Sequence, residues 1–119
     1  MYSAVCVQTN CQLNGQTLEA ARTVLSSDPF VRNVCVESSN SSVQFRFVSV
    51  CEVIFGDISD AEIDKYVQTS EPYDKAGGYG IQQTAVRWIS GVRGDYNCVV
   101  GLPIGALFRL LQAVGAAEQ

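Results

Sequence analysis

The most informative segment of the chain is Glu71-Pro72-Tyr73-Asp74-Lys75-Ala76-Gly77-Gly78-Tyr79-Gly80-Ile81-Gln82. It places two acids, one lysine, three glycines and two tyrosines in succession, with neither helical nor strand periodicity. Glycine permits backbone conformations with positive φ and lets a ligand come close to the main chain. The segment therefore predicts a loop that binds a polar, phosphorylated ligand, although a plain structural turn explains the glycines equally well.

The residues that precede this loop predict a helix. Ser59-Asp60-Ala61-Glu62 is a capping box, in which the serine side chain accepts from the amide three residues on and the glutamate reaches back to the first amide. We expect this helix to run to about Thr69, with Ile63, Tyr66 and Val67 facing the core. The helix leads directly into the loop and so determines where the loop begins.

The first half of the chain predicts strands and one helix. Runs rich in β-branched residues indicate strands at Tyr2–Gln8, Val31–Val36 and Val43–Phe55. The last of these is the longest, and its alternation predicts one fully buried face and one partly covered face. Apolar residues at helical spacing predict a helix over Thr17–Ser26, and Ser38–Ser42 is expected to be a polar turn.

The residues after the loop predict two further strands and a final helix. Thr84–Val92 and Asn97–Val100 have the composition of strands, and they flank a turn at Gly94-Asp95. Pro103 suits the first turn of a helix, and Gly115 suits a helix C-terminus. The apolar stripe expected on this helix consists of Ile104, Leu107, Phe108, Leu111 and Val114. The whole pattern is that of one mixed α/β domain.

Composition limits the classes of function. The chain has 119 residues, of which 47% are hydrophobic and 17% charged, as in a globular protein with a core. Its net charge of −4 argues against nucleic acid or anionic membranes as partners. It contains neither an apolar run long enough to span a membrane nor a recognisable secretory signal, so we expect a cytoplasmic protein.

The thiols and the missing histidine limit the chemistry. The five cysteines, at positions 6, 11, 35, 51 and 98, form no C-x-x-C pair, which favours structural thiols over a zinc site. The chain has no histidine, which is the usual base for a serine or cysteine nucleophile. Catalysis here would therefore rest on carboxylates, lysines and metal.

A second informative segment is Gly94-Asp95-Tyr96-Asn97-Cys98-Val99-Val100-Gly101-Leu102-Pro103, which leads from a predicted strand into the last helix. A helix N-terminus carries unpaired N–H groups and a partial positive charge, and both favour anions. A tight strand-to-helix connection that needs glycine for clearance is the simpler interpretation of the same residues. The segment alone therefore does not identify a ligand.

Together, these two segments resemble the C-terminal half of the Maf (septum formation protein) family. The shared pattern is Glu71-Pro72-x-Asp74-Lys75-Ala76-Gly77-Gly78-Tyr79-Gly80-Ile81-Gln82, followed by Gly94-Asp95-Tyr96-Asn97-x-Val99-Val100-Gly101-Leu102-Pro103. The clear resemblance spans residues 43–114, and Tyr2–Gln8 matches an earlier strand of the family. The resemblance implies an α/β fold with a mixed, twisted sheet flanked by helices, related to that of the inosine triphosphate pyrophosphatases.

Two motifs of the family's N-terminal half do not occur in these 119 residues. They are a Ser-x-Ser-Pro-Arg-Arg loop and a Gly-Ala-Asp-Thr motif, whose aspartate is the expected catalytic base. The catalytic residue is therefore unknown from this chain. We interpret residues 1–119 as one partial domain that lacks the family's N-terminal half, with residues 10–42 as an insertion relative to the family pattern.

The resemblance implies a nucleoside triphosphate pyrophosphatase, which releases a monophosphate and pyrophosphate and so removes non-standard or surplus nucleotides. The implied cofactor is a divalent metal, Mg²⁺ or Mn²⁺, which would offset charge on the phosphates. Carried over residue by residue, Gln82 corresponds to the glutamine that the family uses in substrate selection. Lys75 is the expected phosphate contact, because it is a compact cation within a glycine loop.

The remaining loop residues have less specific expected roles. Gly77, Gly78 and Tyr79 complete the predicted substrate-binding set, and Tyr79 is expected to pack against the loop itself rather than against a base. Glu71 and Asp74 are candidates for metal ligands, although they could instead orient Lys75.

The absent motifs leave three interpretations open. The chain is a piece of a full enzyme, or it pairs with a separate N-terminal half, or it is a non-catalytic remnant that binds nucleotide or a protein partner. A sheet that lacks a neighbour exposes apolar edges, which favour association. We therefore expect a homodimer or a complex with a complementary N-terminal half, with a nucleoside triphosphate as the small-molecule partner.

Overall fold

A computed structural model describes residues 1–81 and 84–115 of the chain. Its strands are β1 (Tyr2–Gln8), β2 (Val31–Ser38), β3 (Val43–Val50), β4 (Glu52–Phe55) and β5 (Ile89–Arg93). Its α-helices are α1 (Gly15–Ser26), α2 (Asp60–Val67), α3 (Tyr96–Val100) and α4 (Ile104–Ala113). Short 3₁₀ turns occupy Glu71–Asp74, Ala76–Gly78 and Thr84–Trp88. The predicted α/β class is confirmed, with antiparallel sheets flanked by helices.

The first lobe, called here the large lobe, consists of β1, β2, β3, α1 and α4. Its sheet has the order β1-β3-β2, and both pairings are antiparallel, with Val5 opposite Phe47 and Val36 opposite Phe45. The sheet and the two helices enclose the main core of the described residues. This core consists of Ala21, Leu25, Val31, Val43, Phe45, Phe47, Ala106 and Leu110.

The predicted elements of the large lobe are confirmed with small shifts at their ends. β1 has its predicted bounds, and β2 continues two residues further, to Ser38. The helix predicted from Thr17 begins at Gly15, because the Asn14 side chain accepts a hydrogen bond from the Thr17 amide at 2.8 Å and caps it. The Asn14-Gly15 pair therefore starts a helix as well as turning the chain.

The long strand predicted over Val43–Phe55 is wrong as a single strand. β3 ends at Val50 and belongs to the large lobe, whereas β4 pairs with β5 in a different sheet. The predicted buried face continues as far as the fully buried Cys51. The Cys51 backbone amide donates to the Met1 carbonyl at 2.9 Å, and its carbonyl accepts from the Met1 amine at 3.0 Å, so the chain passes from one sheet to the other there.

Two strands predicted after the loop are also corrected. The strand predicted over Thr84–Val92 begins only at Ile89, after a 3₁₀ turn. The strand predicted over Asn97–Val100 is helical and forms most of α3. The Asp95 side chain accepts from the Asn97 amide at 2.9 Å and caps this helix. This local hydrogen bond outweighs the strand preference of the two valines.

The second lobe, called here the small lobe, consists of β4, β5, α2 and the Thr84–Trp88 turn. Both halves of the predicted capping box of α2 are present. The Glu62 amide donates to the Ser59 hydroxyl at 3.2 Å, and the Ser59 amide donates to the Glu62 carboxylate at 3.0 Å. Of the three side chains predicted to face the core, only Tyr66 is buried. Ile63 and Val67 are 44% and 43% exposed, so that part of the prediction is wrong.

The apolar stripe predicted on the last helix is partly wrong. α4 begins after Pro103 as predicted, but its buried side chains are Ala106 and Leu110, whereas Ile104 and Phe108 are about half exposed. Of the predicted stripe, Val114 packs against the core of the large lobe, so the buried face is rotated away from the predicted one rather than reversed. Gly115 has a φ of 80° just beyond the helix, as expected of a helix C-terminus.

Among the described residues, no helix is long and apolar enough to cross a membrane. The principal extents of the molecule are 58 × 24 × 23 Å. The molecule is therefore elongated.

Candidate functional site

The glycine loop begins with the Glu71–Asp74 turn and continues through two glycines of positive φ. Gly77 and Gly78 have φ values of 77° and 76°, which residues with side chains rarely adopt. The Gly78 amide donates to the Lys75 carbonyl at 3.1 Å and closes the turn. The prediction that these glycines serve a special backbone conformation is confirmed by their geometry, whereas their contact with substrate stays a prediction.

Lys75 is held by its own loop. Its ammonium donates to the Glu71 carbonyl at 3.0 Å and to the Asp74 carboxylate at 2.9 Å. The hydrogen bond and charge of Lys75 lower the pKa of Asp74, whose side chain is largely exposed. The loop therefore orients a partly buried cation, and of the two roles expected for Asp74, orientation of Lys75 is the one that the contacts support.

Tyr79 packs within the small lobe. Its ring contacts the Phe55 ring edge to face, with the centroids 5.0 Å apart and an angle of 81°. A side-chain carbon on Gly77 would come within 3.3 Å of the Tyr79 ring, so that glycine also makes room for the tyrosine. Tyr79 thus contacts β4 as well as its own loop.

Tyr66 connects helix α2 to the loop. Its buried ring contacts the Trp88 ring edge to face at 5.1 Å. Burial of the ring, together with the nearby Glu71 carboxylate, raises the pKa of Tyr66 to about 12. The buried hydroxyl itself makes no hydrogen bond within the described residues, so its connection to the loop is electrostatic.

The second family segment forms the connection between the β5 strand and the two last helices. The Asp95 carboxylate accepts from the Asn97 amide at 2.9 Å and from the Gly105 amide at 2.8 Å, so it joins the beginnings of α3 and α4. Burial has the largest single effect on Asp95 and raises its pKa, but the hydrogen bonds from Gly105 and Asn97 and the charge of Arg109 outweigh burial and leave the pKa lowered. This carboxylate is a structural centre of the segment.

The two family segments meet at one cavity of about 510 Å³. The loop contributes Lys75 and Tyr79 to the walls, and the end of α3 contributes Cys98 and Val100. Lys75 is the one charged side chain among the described residues that line the cavity. A volume in the range of ligand sites, with an oriented lysine in its wall, suits an anionic small molecule.

Sequence reasoning missed the contribution of the first strand to this cavity. Tyr2 and Ser3 line it, and the Ser3 hydroxyl donates to the Cys98 carbonyl at 2.9 Å, which fastens β1 to α3. Nothing in the local pattern at the start of the chain indicated this, because the contact joins residues 95 positions apart. Of the thiols expected to be structural, Cys51 and Cys98 are fully buried, whereas Cys35 is partly buried and Cys6 is exposed.

Two parts of the predicted site stay predictions. Gln82, the expected substrate-selecting residue, lies outside the described residues. The described residues contain no cluster of three Cys, Asp or Glu side chains that could hold a metal ion. The contacts of Asp74 with Lys75 and of Glu71 with Tyr66 do not fit a preformed ion site.

The chain is similar to several proteins named dTTP/UTP pyrophosphatase. The protein from Koribacter versatilis is 40% identical over 103 residues, which are 87% of this chain and 47% of the relative. The Bacillus pumilus protein is 43% identical over 82 residues, or 69% of this chain and 42% of the relative. The Salinibacter ruber protein is 51% identical over 67 residues, or 56% of this chain and 33% of the relative.

The chain therefore spans less than half the length of these relatives. The family model of Maf-like proteins matches the chain over residues 4–114. This range includes both segments that line the cavity, and it also includes α1 and β2. By this match over nearly its whole length, the chain belongs to the Maf family.

Proposed function

We propose that the chain forms the nucleotide-binding part of a nucleoside triphosphate pyrophosphatase site. The reaction would cleave the bond between the α and β phosphates and release the monophosphate and pyrophosphate. The observation that carries this proposal is the oriented ammonium of Lys75 in the wall of the cavity where the two family segments meet. The names of the relatives suggest thymidine and uridine triphosphates as the substrates.

Lys75 is proposed to contact the phosphates. The side chain is already restrained by the Glu71 carbonyl and Asp74, so little conformational entropy is lost when a phosphate oxygen binds. The Asp74 carboxylate is exposed and can turn to solvent when a phosphate takes its place. Gly77 and Gly78 fix the backbone that presents this lysine, and Gln82 is proposed to select the base.

A divalent ion is proposed to accompany the nucleotide, where it would neutralise phosphate charge. Because the carboxylates of the described loop do not form a preformed ion site, the phosphates themselves would supply most of its ligands. Asp74 is the better placed of the two candidate protein ligands, since its carboxylate is exposed.

Turnover is proposed for the assembled family domain rather than for this chain alone. The Gly-Ala-Asp-Thr motif expected to carry the catalytic base is absent from the 119 residues. The alternative is a family member that binds nucleotide or a protein partner without hydrolysis. Binding of nucleotide without release of pyrophosphate from the assembled domain would favour this alternative.

The test is titration of the chain with dTTP and UTP by calorimetry, for the wild type and for Lys75→Met. Loss of one charge-assisted phosphate contact should weaken binding by about 10- to 100-fold. Lys65→Met is the matched control, because Lys65 is the other lysine of the chain and lies on α2, away from the cavity. Equal effects of the two substitutions, or no binding by the wild type, would contradict the proposal.

A further inference from the structure

The small lobe leaves large apolar side chains half exposed on two elements. On α2, Ile63 and Val67 are one helical turn apart and therefore share a face. On β4, Ile54 and Phe55 are 42% and 39% exposed. Consecutive strand residues point to opposite faces of a sheet. Neither face of the small sheet is therefore fully covered.

The small sheet is also too small to be stable by itself. Among the described residues, β4 and β5 pair only with each other, so both strands have a free edge. Two-stranded sheets are marginally stable in water unless something packs on them. Within the described part of this lobe and its loop, the buried apolar residues are Tyr66, Ile81 and Ala85. The lobe therefore lacks most of the core that its sheet needs.

The dimensions of the molecule agree with a missing neighbour. Its radius of gyration is 18.1 Å, whereas a compact domain of this length is expected near 13.5 Å. Its accessible surface is 7428 Å², roughly 1,100 Å² more than expected for a folded chain of this mass. A stable interface buries about 800 Å² on each partner, so the excess is enough for one such interface.

We infer that the remaining part of a Maf-type domain docks on the small lobe and covers its half-exposed apolar side chains, which are Ile54 and Phe55 on the two faces of the sheet and Ile63 and Val67 on α2. The length of the relatives supports this occupant, because the part of each that this chain does not span is at least as long as the part it does. The inference deepens the proposed function, since the same segment would bring the missing catalytic motif to the cavity.

A second copy of this chain fits the small lobe less well. It would bring another Lys75 and another Asp74, but no Gly-Ala-Asp-Thr motif, because that motif is absent from the sequence. The exposed apolar side chains of α3 and α4, such as Val100 and Ile104, belong to elements anchored to the large lobe. The exposed apolar side chains of α3 and α4 therefore provide the control for those of the small lobe.

The test co-expresses the full chain with the part of the Koribacter versatilis relative that lies outside the matched region. Light scattering and sedimentation should show a one-to-one complex, and amide exchange should slow in β4 and α2. Ile63→Glu should weaken the complex at least 100-fold, and Ile63→Ala about tenfold. Ile104→Glu is the matched control, since Ile104 is equally exposed on α4, and it should change affinity less than threefold.

Several outcomes would overturn the inference. The first is that the partner half stays insoluble or does not bind the chain. The second is that Ile63→Glu and Ile104→Glu weaken the complex equally. The third is that the chain forms a homodimer that Ile63→Glu disrupts. The measurement is made without nucleotide. A failed complex is therefore distinguishable from a failed nucleotide site, which the affinity for dTTP reports separately.

Discussion

The two lobes of the chain differ in how much of their own apolar surface they bury. In the large lobe, two helices cover a three-stranded sheet, and side chains such as Phe45 and Leu110 are fully buried. In the small lobe, one short helix and a 3₁₀ turn accompany a sheet in which, among the described residues, two strands pair. Because burial of apolar surface is the main stabilising contribution to folding, we expect the large lobe to contribute most of the stability of the chain and the small lobe little of it.

This difference matters for the candidate site, because the site depends on both lobes. The Ser3 and Cys98 side of the cavity is fastened to the large lobe, whereas Tyr79 rests on Phe55 of the small lobe. Lys75 lies between these supports. A ligand that needs Lys75 and both walls would therefore bind best once the small lobe is covered.

The largest expected effect comes from paired truncations in the two lobes. Leu110→Ala and Ile63→Ala remove the same number of carbons, but Leu110 is fully buried and Ile63 is half exposed. Leu110→Ala should lower the free energy of unfolding by about 3–5 kcal/mol, because it leaves a cavity in the core. Ile63→Ala should cost about 1 kcal/mol in the chain alone.

Urea unfolding followed by circular dichroism measures both values. Similar costs for the two substitutions would show that the small lobe has a core of its own, and the contrast between the lobes would be wrong. If the small lobe gains a partner, the cost of Ile63→Ala should rise towards that of Leu110→Ala.

The next effect concerns the junction of α3 and α4. Asp95→Asn weakens hydrogen bonds to the Asn97 and Gly105 amides and should cost about 1–2 kcal/mol at pH 7. The folded-state pKa of Asp95 is lowered, so its stabilising effect is present above the unfolded pKa, about 3.9, and is lost as pH falls through the folded value. The difference between wild type and variant should therefore shrink below pH 4.

Thermal unfolding between pH 2.5 and pH 7 measures this difference. Asp57→Asn is a suitable control, because Asp57 lies in the small lobe, at the rim of a separate cavity. If the difference in stability between wild type and Asp95→Asn stayed constant with pH, the assigned role of the Asp95 carboxylate would be contradicted.

A smaller effect is expected at Tyr66, which joins the small lobe to the loop. Tyr66→Phe should change the free energy of unfolding by less than about 1 kcal/mol at pH 7, because the buried Tyr66 hydroxyl has no hydrogen-bond partner within the described residues. Burial raises the folded-state pKa of Tyr66 to about 12, so the wild type should lose stability relative to Tyr66→Phe as pH rises from the unfolded pKa, about 10, through 12.

Absorbance of the phenolate near 295 nm and unfolding between pH 9 and pH 12 measure this effect. Tyr66→Phe should remove the highest-pH step of the titration and flatten the loss of stability. Tyr2→Phe is the control, since Tyr2 is largely exposed and lies on β1 in the large lobe. A titration unchanged by Tyr66→Phe would show that the hydroxyl is not buried against Glu71.

Local signals in the sequence predicted local structure well. The capping box of Ser59 and Glu62, the β1 strand and the helix start at Pro103 all depend on residues within one turn of each other. The structure brings the two family segments to one cavity, as expected if they form one site, whereas their joint action stays a prediction. Short-range patterns therefore identified the elements and the loop of the site.

Several of the wrong predictions depended on distant neighbours, whereas the helix at Asn97–Val100 depends on the local Asp95 cap. Val43–Phe55 divides at Cys51 because Met1 pairs with that residue, and the exposed face of α4 could not be chosen without knowing where α1 packs. Ile63 and Val67 have the spacing of a core face, but both stay close to half exposed among the described residues. Apolar side chains at core spacing that stay half exposed are expected of an interface.

The smallest expected effect tests whether charge stabilises the small lobe in place of a core. Glu52 and Arg93 are paired across β4 and β5 at 3.7 Å, and both side chains are mostly exposed. Exposed pairs contribute little, so Glu52→Gln should change the free energy of unfolding by less than about 0.5 kcal/mol. Glu37→Gln, which removes the exposed pair with Arg46 in the large lobe, is the matched control and should have an equally small effect. A cost above about 1 kcal/mol for Glu52→Gln alone would mean that ion pairing stabilises the small sheet, and its need for a covering partner would be correspondingly weaker.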